Sequence, residues 1–489
     1  MTTNTAVDTR PGLAARTLGA AAWSLAAFVA SRAITVVSTI VIARLLGPDD
    51  FGLFAIVLVV LSMADAATVG SLNDAVQWDR DRRLHERAAL GLSVTLGVAV
   101  TVVAIVSAPL VARAFGEPRL TLMLVAVAPI SFLTHLYLVN DAGLRARLQY
   151  RRRLAPEISR TVVKAAVSIV LAVAGAGVWS LVWGQVAGEL VACVLYWWLA
   201  PLSSRFPAWD GAVARRLFRF AALAGAAALV AIVAVNIDYV VVGRRLGTAV
   251  LGVYLIAYRL PELLVNQPAN ALRSTLLPAY VEAGSDPDRM RRGFFESVRA
   301  GCAVATPIGV VLAVVAEPAV RVVFGSQWLA AATPMRWIAL AFAVDALVLG
   351  ASAALKAAGR PGIVGGLISV KLALLAPLLW WAAGRGISTV GAVVLVVSVV
   401  MVVLQAAALR FALGYEIGRV VAAVAPVVAS AGVAAGTVAL VAAFAPAGLA
   451  ELGLSVAAGA LVYMGVLRLL IPEWLRRIVP LVRRGPGPA

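Results

Sequence analysis

The chain has 489 residues and a net charge of +18, with 62% hydrophobic residues and only 13% charged ones. A soluble globular chain is about half apolar and about a quarter charged, so too little charge is present to coat a water-soluble fold of this size. This excludes a soluble enzyme on one anchor and a disordered or fibrous chain. A helical bundle dissolved in lipid remains.

Residues 1–18 are polar, and the first apolar stretch, 20–43, is too long for the hydrophobic region of a cleaved signal. It is predicted as the first of fourteen spans, followed by 51–76, 88–112, 120–140, 155–174, 177–200, 217–242, 250–278, 297–316, 330–355, 362–383, 387–409, 419–443 and 448–471. Most can cross a hydrocarbon core of about 30 Å at about 1.5 Å per residue. They are continuous apolar runs rather than the short alternating segments of a barrel. With the N-terminus placed inside, the basic loops around 80–87, 145–164, 205–219 and 289–299 and the C-terminal tail fall on the cytoplasmic side. The outer segments keep Arg44, Arg113, Arg119, Arg244, Arg245, Arg321 and Arg385. This asymmetry predicts an even number of spans with both termini cytoplasmic. It also reads the positive charge as membrane topology rather than a nucleic-acid surface. Cys193 and Cys302 are isolated, so no disulfide framework is expected. No loop could form a soluble domain, so activity must sit among the helices.

Residues 44–56 (RLLGPDDFGLFAI) and 244–256 (RRLGTAVLGVYLI) repeat at an offset of 200, pairing Gly47 with Gly247, Gly52 with Gly252 and Ile56 with Ile256. Both copies lie at the outer junction of the first two helices of a six-helix unit. Two units of the same orientation form a parallel repeat, which suits a transporter working around a central site. The predicted organisation is a cytoplasmic tail (1–19), an N-lobe (20–210), a C-lobe (211–415), two extra helices (416–471) and a cytoplasmic C-terminal tail (472–489).

The run from Ser31 to Gln77, the basic segment GLRARLQYRRRLAPEISRTVV (143–163), FGSQWLAAATPMRWIAL (324–340) and LKAAGRP (355–361) resemble the polysaccharide flippases of the MOP superfamily, the Wzx-type and colanic-acid-exporter-like proteins. The resemblance spans roughly residues 20–415. It implies an all-α polytopic fold with two six-helix lobes in a V. It also implies movement of undecaprenyl-diphosphate-linked oligosaccharides from the inner to the outer leaflet of a bacterial cytoplasmic membrane. Polysaccharide polymerase and glycosyltransferase partners would accompany that role, and no cofactor is implied. The resemblance assigns no special role to the basic segment between helices 4 and 5.

Charges within spans are costly and usually offset by a partner or a wet cavity. Arg32 shares a face with Ser31, Thr35 and Thr39. On helix 8, Arg259, Glu262, Asn266, Asn270 and Arg273 follow steps of three or four, and Pro261 and Pro268 interrupt the helix as candidate hinges. In the fold implied by the resemblance, Arg32 and Arg259 would face each other across the cleft. Guanidinium forks match phosphate oxygens and stay charged, so the expectation is a cationic cavity for a diphosphate, with Arg32, Arg259, Arg273, Asn266 and Asn270 as binding residues. Asp65, Asp238 and Glu262 are read either as ion-coupling groups or as counter-charges to these arginines. Asp345 and Lys371 could simply pair, and Gln185 with Glu189 reads as helix–helix glue.

No Gly–Lys dipeptide occurs, so a Walker A loop is absent. His85 and His135 form no zinc motif, and no metal site is expected. The enzyme alternative, a membrane glycosyltransferase, would rest on Asp49–Asp50 or on the DxD formed by Asp79 and Asp81, both short and common patterns. Nearer alternatives keep the scaffold and change the cargo to lipid II, a teichoic-acid precursor or an antiported drug or cation.

Overall fold

A computed structural model describes residues 31–70, 72, 82–146, 149–200, 211–283, 286–446, 448–474 and 476. The described residues form helices and turns with no strand. In chain order these are α1 (residues 31–45), α2 (Pro48–Asp65, closing in a π turn Ala66–Gly70) and α3 (Arg82–Phe115). Next come α4 (Arg119–Val127 and Pro129–Ala146), α5 (Tyr150–Val173) and α6 (Trp179–Leu199). The second half begins with α7 (Gly211–Leu246), then α8, built from Thr248–Pro261, a π turn Glu262–Asn266 and Gln267–Glu282. It continues with α9 (Pro287–Val314) and α10 (Ala332–Asp345, resuming at Ala351–Ala357), then α11 (Pro361–Ala383), α12 (Ile387–Leu413), α13 (Ile417–Phe444) and α14 (Leu449–Leu470).

Eleven helical stretches among the described residues are long and apolar enough to cross a membrane, and each coincides with a predicted span. Helix α1, described over residues 31–45, is too short for this set, and α7 is also not among the eleven. Helix α5 falls outside because its apolar half still carries Glu157, Arg160 and Lys164. Large apolar side chains such as Val106 on α3, Phe411 on α12 and Phe444 on α13 stand exposed, as expected where lipid rather than water is the solvent. The motif DxD at 79–81 lies outside the described residues.

One continuous core runs through both halves, from Ile42, Phe51 and Ile56 to Tyr254, Trp328 and Val397. A second core belongs to the C-terminal half. There α13 and α14 are not a loose appendix: Val427 and Tyr463 pack with Phe294 and Cys302 of α9, and the Tyr463 hydroxyl donates to the Ala303 carbonyl at 2.7 Å.

The repeat motif proves to be the contact between halves. Helices α2 and α8 cross so closely that a Cβ on Gly52 would overlap the Thr248 carbonyl, and one on Gly252 would overlap the Pro48 carbonyl. Around the crossing, a carbonyl in the last turn of α1, at Ala43, accepts from Trp328 Nε1 (2.8 Å) and Gln327 Nε2 (2.6 Å), while Arg44 donates to the Val322 carbonyl at 2.7 Å. Asp49 and Asp50 of the enzyme alternative are engaged here. Asp49 accepts from the Thr248 hydroxyl and from Arg119 (2.9 Å), and Asp50 accepts from the Val178 amide at the start of α6 (3.1 Å).

Candidate functional site

A cavity of about 600 Å³ lies between α1, α2, α5, α6 and α8. It reaches from Ile42 and Phe51, near the inter-half crossing, to Ser31 and Arg153 at the far end. Helix α1 supplies the stripe Ser31, Arg32, Thr35, Ser38 and Thr39. Thr35 and Thr39 satisfy their hydroxyl protons on carbonyls one turn back, at 2.8 and 2.7 Å, which leaves oxygen lone pairs toward the space.

Helix α5 supplies the other wall, with Arg153, Glu157, Arg160, Lys164 and Ser168 at helical spacing. Its position is set by α6. The small residues Gly184 and Gly188 of α6 form a GxxxG contact. A Cβ on Gly184 would overlap the Ser168 hydroxyl, and one on Gly188 would lie 2.8 Å from the Arg160 carbonyl. Helix α6 thus packs against α5 along Arg160, Lys164 and Ser168, and its Leu181 and Gln185 line the cavity beside them.

These charges are braced. Glu157 accepts from Arg153 at 2.8 Å and from Arg160 at 2.9 Å. Arg153 also donates to Asp141 at 2.6 Å, and Asp141 is held in turn by Arg145 (2.8 Å) and the Tyr196 hydroxyl (3.0 Å). Arg160 lies 3.6 Å from the buried Glu189, which accepts from Tyr137 (2.5 Å) and Thr134 (3.2 Å). Lys164 stands 5.9 Å from the ring centre of Phe54. Five cations line the space, Arg32, Arg153, Arg160, Lys164 and Arg259, with Glu157 as the carboxylate among the lining residues. The arrangement can hold a polyanion, with phosphate oxygens taken by guanidinium forks.

Arg32 and Arg259 thus line the same cavity, and the Arg259 Nε is buried with no hydrogen-bond partner in the structure. The rest of the α8 stripe does not share this face. Pro261 has no amide hydrogen to continue the helical ladder, and the next turn widens: the Gln267 amide reaches back five residues to the Glu262 carbonyl. This extra residue rotates everything after it. Asn266 donates to Glu262 at 2.7 Å, Asn270 accepts from Arg273 at 3.0 Å, and Arg273 lines a different cavity. Glu262, which Gln267 also bonds at 2.8 Å, borders a small recess shared with Arg32 and Arg259. Pro268 opens the helical segment beyond the π turn.

Asp238 lies away from the cavity, accepting from the hydroxyls of Tyr254 (3.0 Å) and Tyr258 (2.7 Å) and from the Tyr239 amide (2.9 Å). Asp65 ends the α-helical part of α2, with its Oδ1 buried and unbonded. Neither is among the cavity-lining residues. The cations of α5 are the group that sequence reasoning passed over. Residues 145–164 read as a basic loop, yet the spacing of Arg153, Glu157, Arg160 and Lys164 carries a helical stripe. Among the described residues, no His, Cys, Asp and Glu cluster could hold a metal ion.

Residues 41–333 match the family described as polysaccharide biosynthesis protein. The chain is 25% identical over 378 residues to the succinoglycan biosynthesis transport protein ExoT of Rhizobium meliloti, covering 76% of this chain and 72% of that protein. It is 25% identical over 322 residues to the lipopolysaccharide biosynthesis protein WzxC of Escherichia coli, covering 64% of each. In fold it is similar to the lipid II flippase MurJ in its inward closed conformation, with a TM-score of 0.75, 11% identity and coverage of 94% of this chain and 99% of that one. An inward-facing MATE multidrug transporter of the MOP superfamily aligns with a TM-score of 0.67 and 14% identity over 78% of this chain and 94% of that one.

Proposed function

The chain belongs to the polysaccharide biosynthesis protein family of the MOP superfamily, and on that premise we propose that it carries polyprenyl-diphosphate-linked oligosaccharides across the cytoplasmic membrane, from the inner to the outer leaflet. It is a multi-pass membrane transporter, not an enzyme. The carrying observation is the convergence of Arg32 of α1, Arg259 of α8 and the basic face of α5 on one cavity. A diphosphate brings the charge that this lining lacks. Such a lining repels a cationic drug, so the anionic cargo is the better match within this scaffold.

In this reading the fourteen helices form two lobes that rock about the cavity, with both termini cytoplasmic. The diphosphate enters from the basic side, where Ser31 and Arg153 lie, and the sugars occupy the hydroxyl-lined space while the polyprenyl chain stays in lipid. The cell interior is negative, so outward movement of each negative charge is favoured by about 2.3 kcal/mol per 100 mV. Pro261 and Pro268, flanking the π turn of α8, are where that helix bends.

The test is translocation of a defined undecaprenyl-diphosphate oligosaccharide by purified protein in liposomes. Wild type should move it, and Arg32→Ala and Arg259→Ala should each reduce the rate at least tenfold with membrane insertion unchanged. Normal rates in both variants would defeat the proposal.

A further inference from the structure

A second cavity, of about 470 Å³, lies wholly within the C-terminal half between α8, α10, α11 and α12. Its polar lining includes Arg273 of α8, Lys356 of α10 and Lys371 of α11, with Asp345 and Gln405. None of these residues lines the first cavity. We propose that this cavity binds the phosphate head of an acidic amphiphile through Arg273, Lys356 and Lys371.

The use of lysine points this way first. The chain has 39 arginines and only three lysines, Lys164, Lys356 and Lys371. One lines the first cavity and two line the second, while the described basic loops rely on arginine. An ammonium is a compact, strongly hydrated charge that binds phosphate without demanding a fork geometry.

Charge balance points the same way. Asp345 is the carboxylate among the lining residues, facing three cations, and Lys371 and Arg273 attract it through space without a direct contact. Arg273 instead donates to the neutral Asn270 amide oxygen at 3.0 Å. The expected Asp345–Lys371 pairing acts at a distance rather than by direct contact, and one carboxylate among three cations leaves an excess of positive charge that calls for an anion.

The cavity exists because α10 breaks where α11 and α12 pass. Asp345 ends one helical segment, and Gly350, at φ 94°, starts the next. Only a glycine takes that conformation without strain. Apart from Ser274 and Ser352, the rest of the lining is apolar, including Leu277, Leu367 and Met401, so a ligand with both a charged head and a hydrocarbon chain fits better than a free anion. The amphiphile is either an anionic bilayer phospholipid or a polyprenyl phosphate. The site does not depend on the cargo assigned to the first cavity.

Native mass spectrometry of the full chain in detergent separates these cases. The background variant is Arg32→Gln with Arg259→Gln, which weakens anion binding in the first cavity. The probes are phosphatidylglycerol, undecaprenyl phosphate and, as a neutral comparison, phosphatidylethanolamine. One acidic lipid should remain bound in that background, and Lys356→Gln with Lys371→Gln should weaken it at least tenfold. Retention of phosphatidylglycerol assigns the bilayer as the source, and retention of undecaprenyl phosphate alone assigns the carrier. Binding no stronger than that of phosphatidylethanolamine, or unaffected by the lysine changes, overturns the proposal. If the double lysine variant does not fold, Lys371→Gln is compared with Lys371→Arg. Loss with Gln and retention with Arg supports the site, and equal binding by both refutes it.

Discussion

Gly52 and Gly252 sit face to face at the crossing of α2 and α8, each against the first-turn backbone of the other's helix, at Thr248 and Pro48. A position in one half thus touches its repeat equivalent in the other. Any side chain at either glycine meets backbone, which cannot rotate away as a flexible side chain would. Gly52→Val and Gly252→Val should each destabilise the protein by about 1–3 kcal/mol or more, the usual cost of overpacking. Thermal unfolding in detergent checks this, and the pairing of Asp49 with Thr248 and Arg119 should loosen with it. A melting temperature equal to wild type for both variants would show that the helices can part here at no cost.

Arg160 serves two carboxylates, Glu157 in the cavity and Glu189 behind it. Glu189 is only 3% exposed, so Arg160→Gln strands a buried charge and should cost about 3–5 kcal/mol. Adding Glu189→Gln should recover most of that stability without restoring transport, because the guanidinium proposed to face the cargo is still missing. Stability and liposome transport measured on the same three proteins separate the two roles. Transport recovered together with stability would reduce Arg160 to a structural residue.

The hydroxyls of Tyr254 and Tyr258 both donate to Asp238. Replacing either with Phe leaves this buried carboxylate short of a donor, at a cost of about 1–3 kcal/mol. Tyr254→Phe and Tyr258→Phe should lower the melting temperature while leaving transport of the folded fraction intact, since Asp238 stands outside the cavity. A transport defect in well-folded Tyr258→Phe protein would argue for a direct role of Asp238.

Outside the membrane, Asp286 caps α9. Its carboxylate accepts from the amides of Arg289 (3.0 Å) and Asp288 (2.9 Å), and the Arg289 amide above all holds its pKa below the usual carboxylate value. A lowered folded pKa stabilises fully above the unfolded value of about 3.9 and is lost as pH falls through the lowered one. Asp286→Asn keeps an acceptor at this cap but removes the titration. Its acid unfolding limb should be shallower than that of wild type below about pH 4, and identical limbs would contradict the assignment.

The apolar runs and the offset of 200 were legible in the sequence because lipid solvation writes itself as continuous hydrophobicity. The same physics exposed Arg32 and Arg259, charges where none are expected. The α8 stripe was misjudged past Pro261 because regular spacing assumes 3.6 residues per turn, and a π turn has no residue signature of its own. Arg160 and Lys164 were hidden for a different reason. Counted with a run of arginines they read as loop, and only the meeting of α5 with α1, α2 and α8 around one cavity shows which way they face. The second cavity depends on the kink at Gly350 and on residues from four helices, a meeting that no single stretch of sequence displays.

The glycine crossing also fixes where leverage is greatest. Gly52 lies near one end of α2 and Gly70 closes its π turn, about 27 Å away at helical rise. A fulcrum so close to the end leaves a long arm, so tilting α2 by about 10° about Gly52 sweeps its far tip by about 5 Å over that length. The backbone contact itself would slide by a fraction of an ångström. A headgroup held as proposed between Arg32 and Arg259 would sit partway along that arm, where a modest tilt already changes how many guanidiniums can reach it.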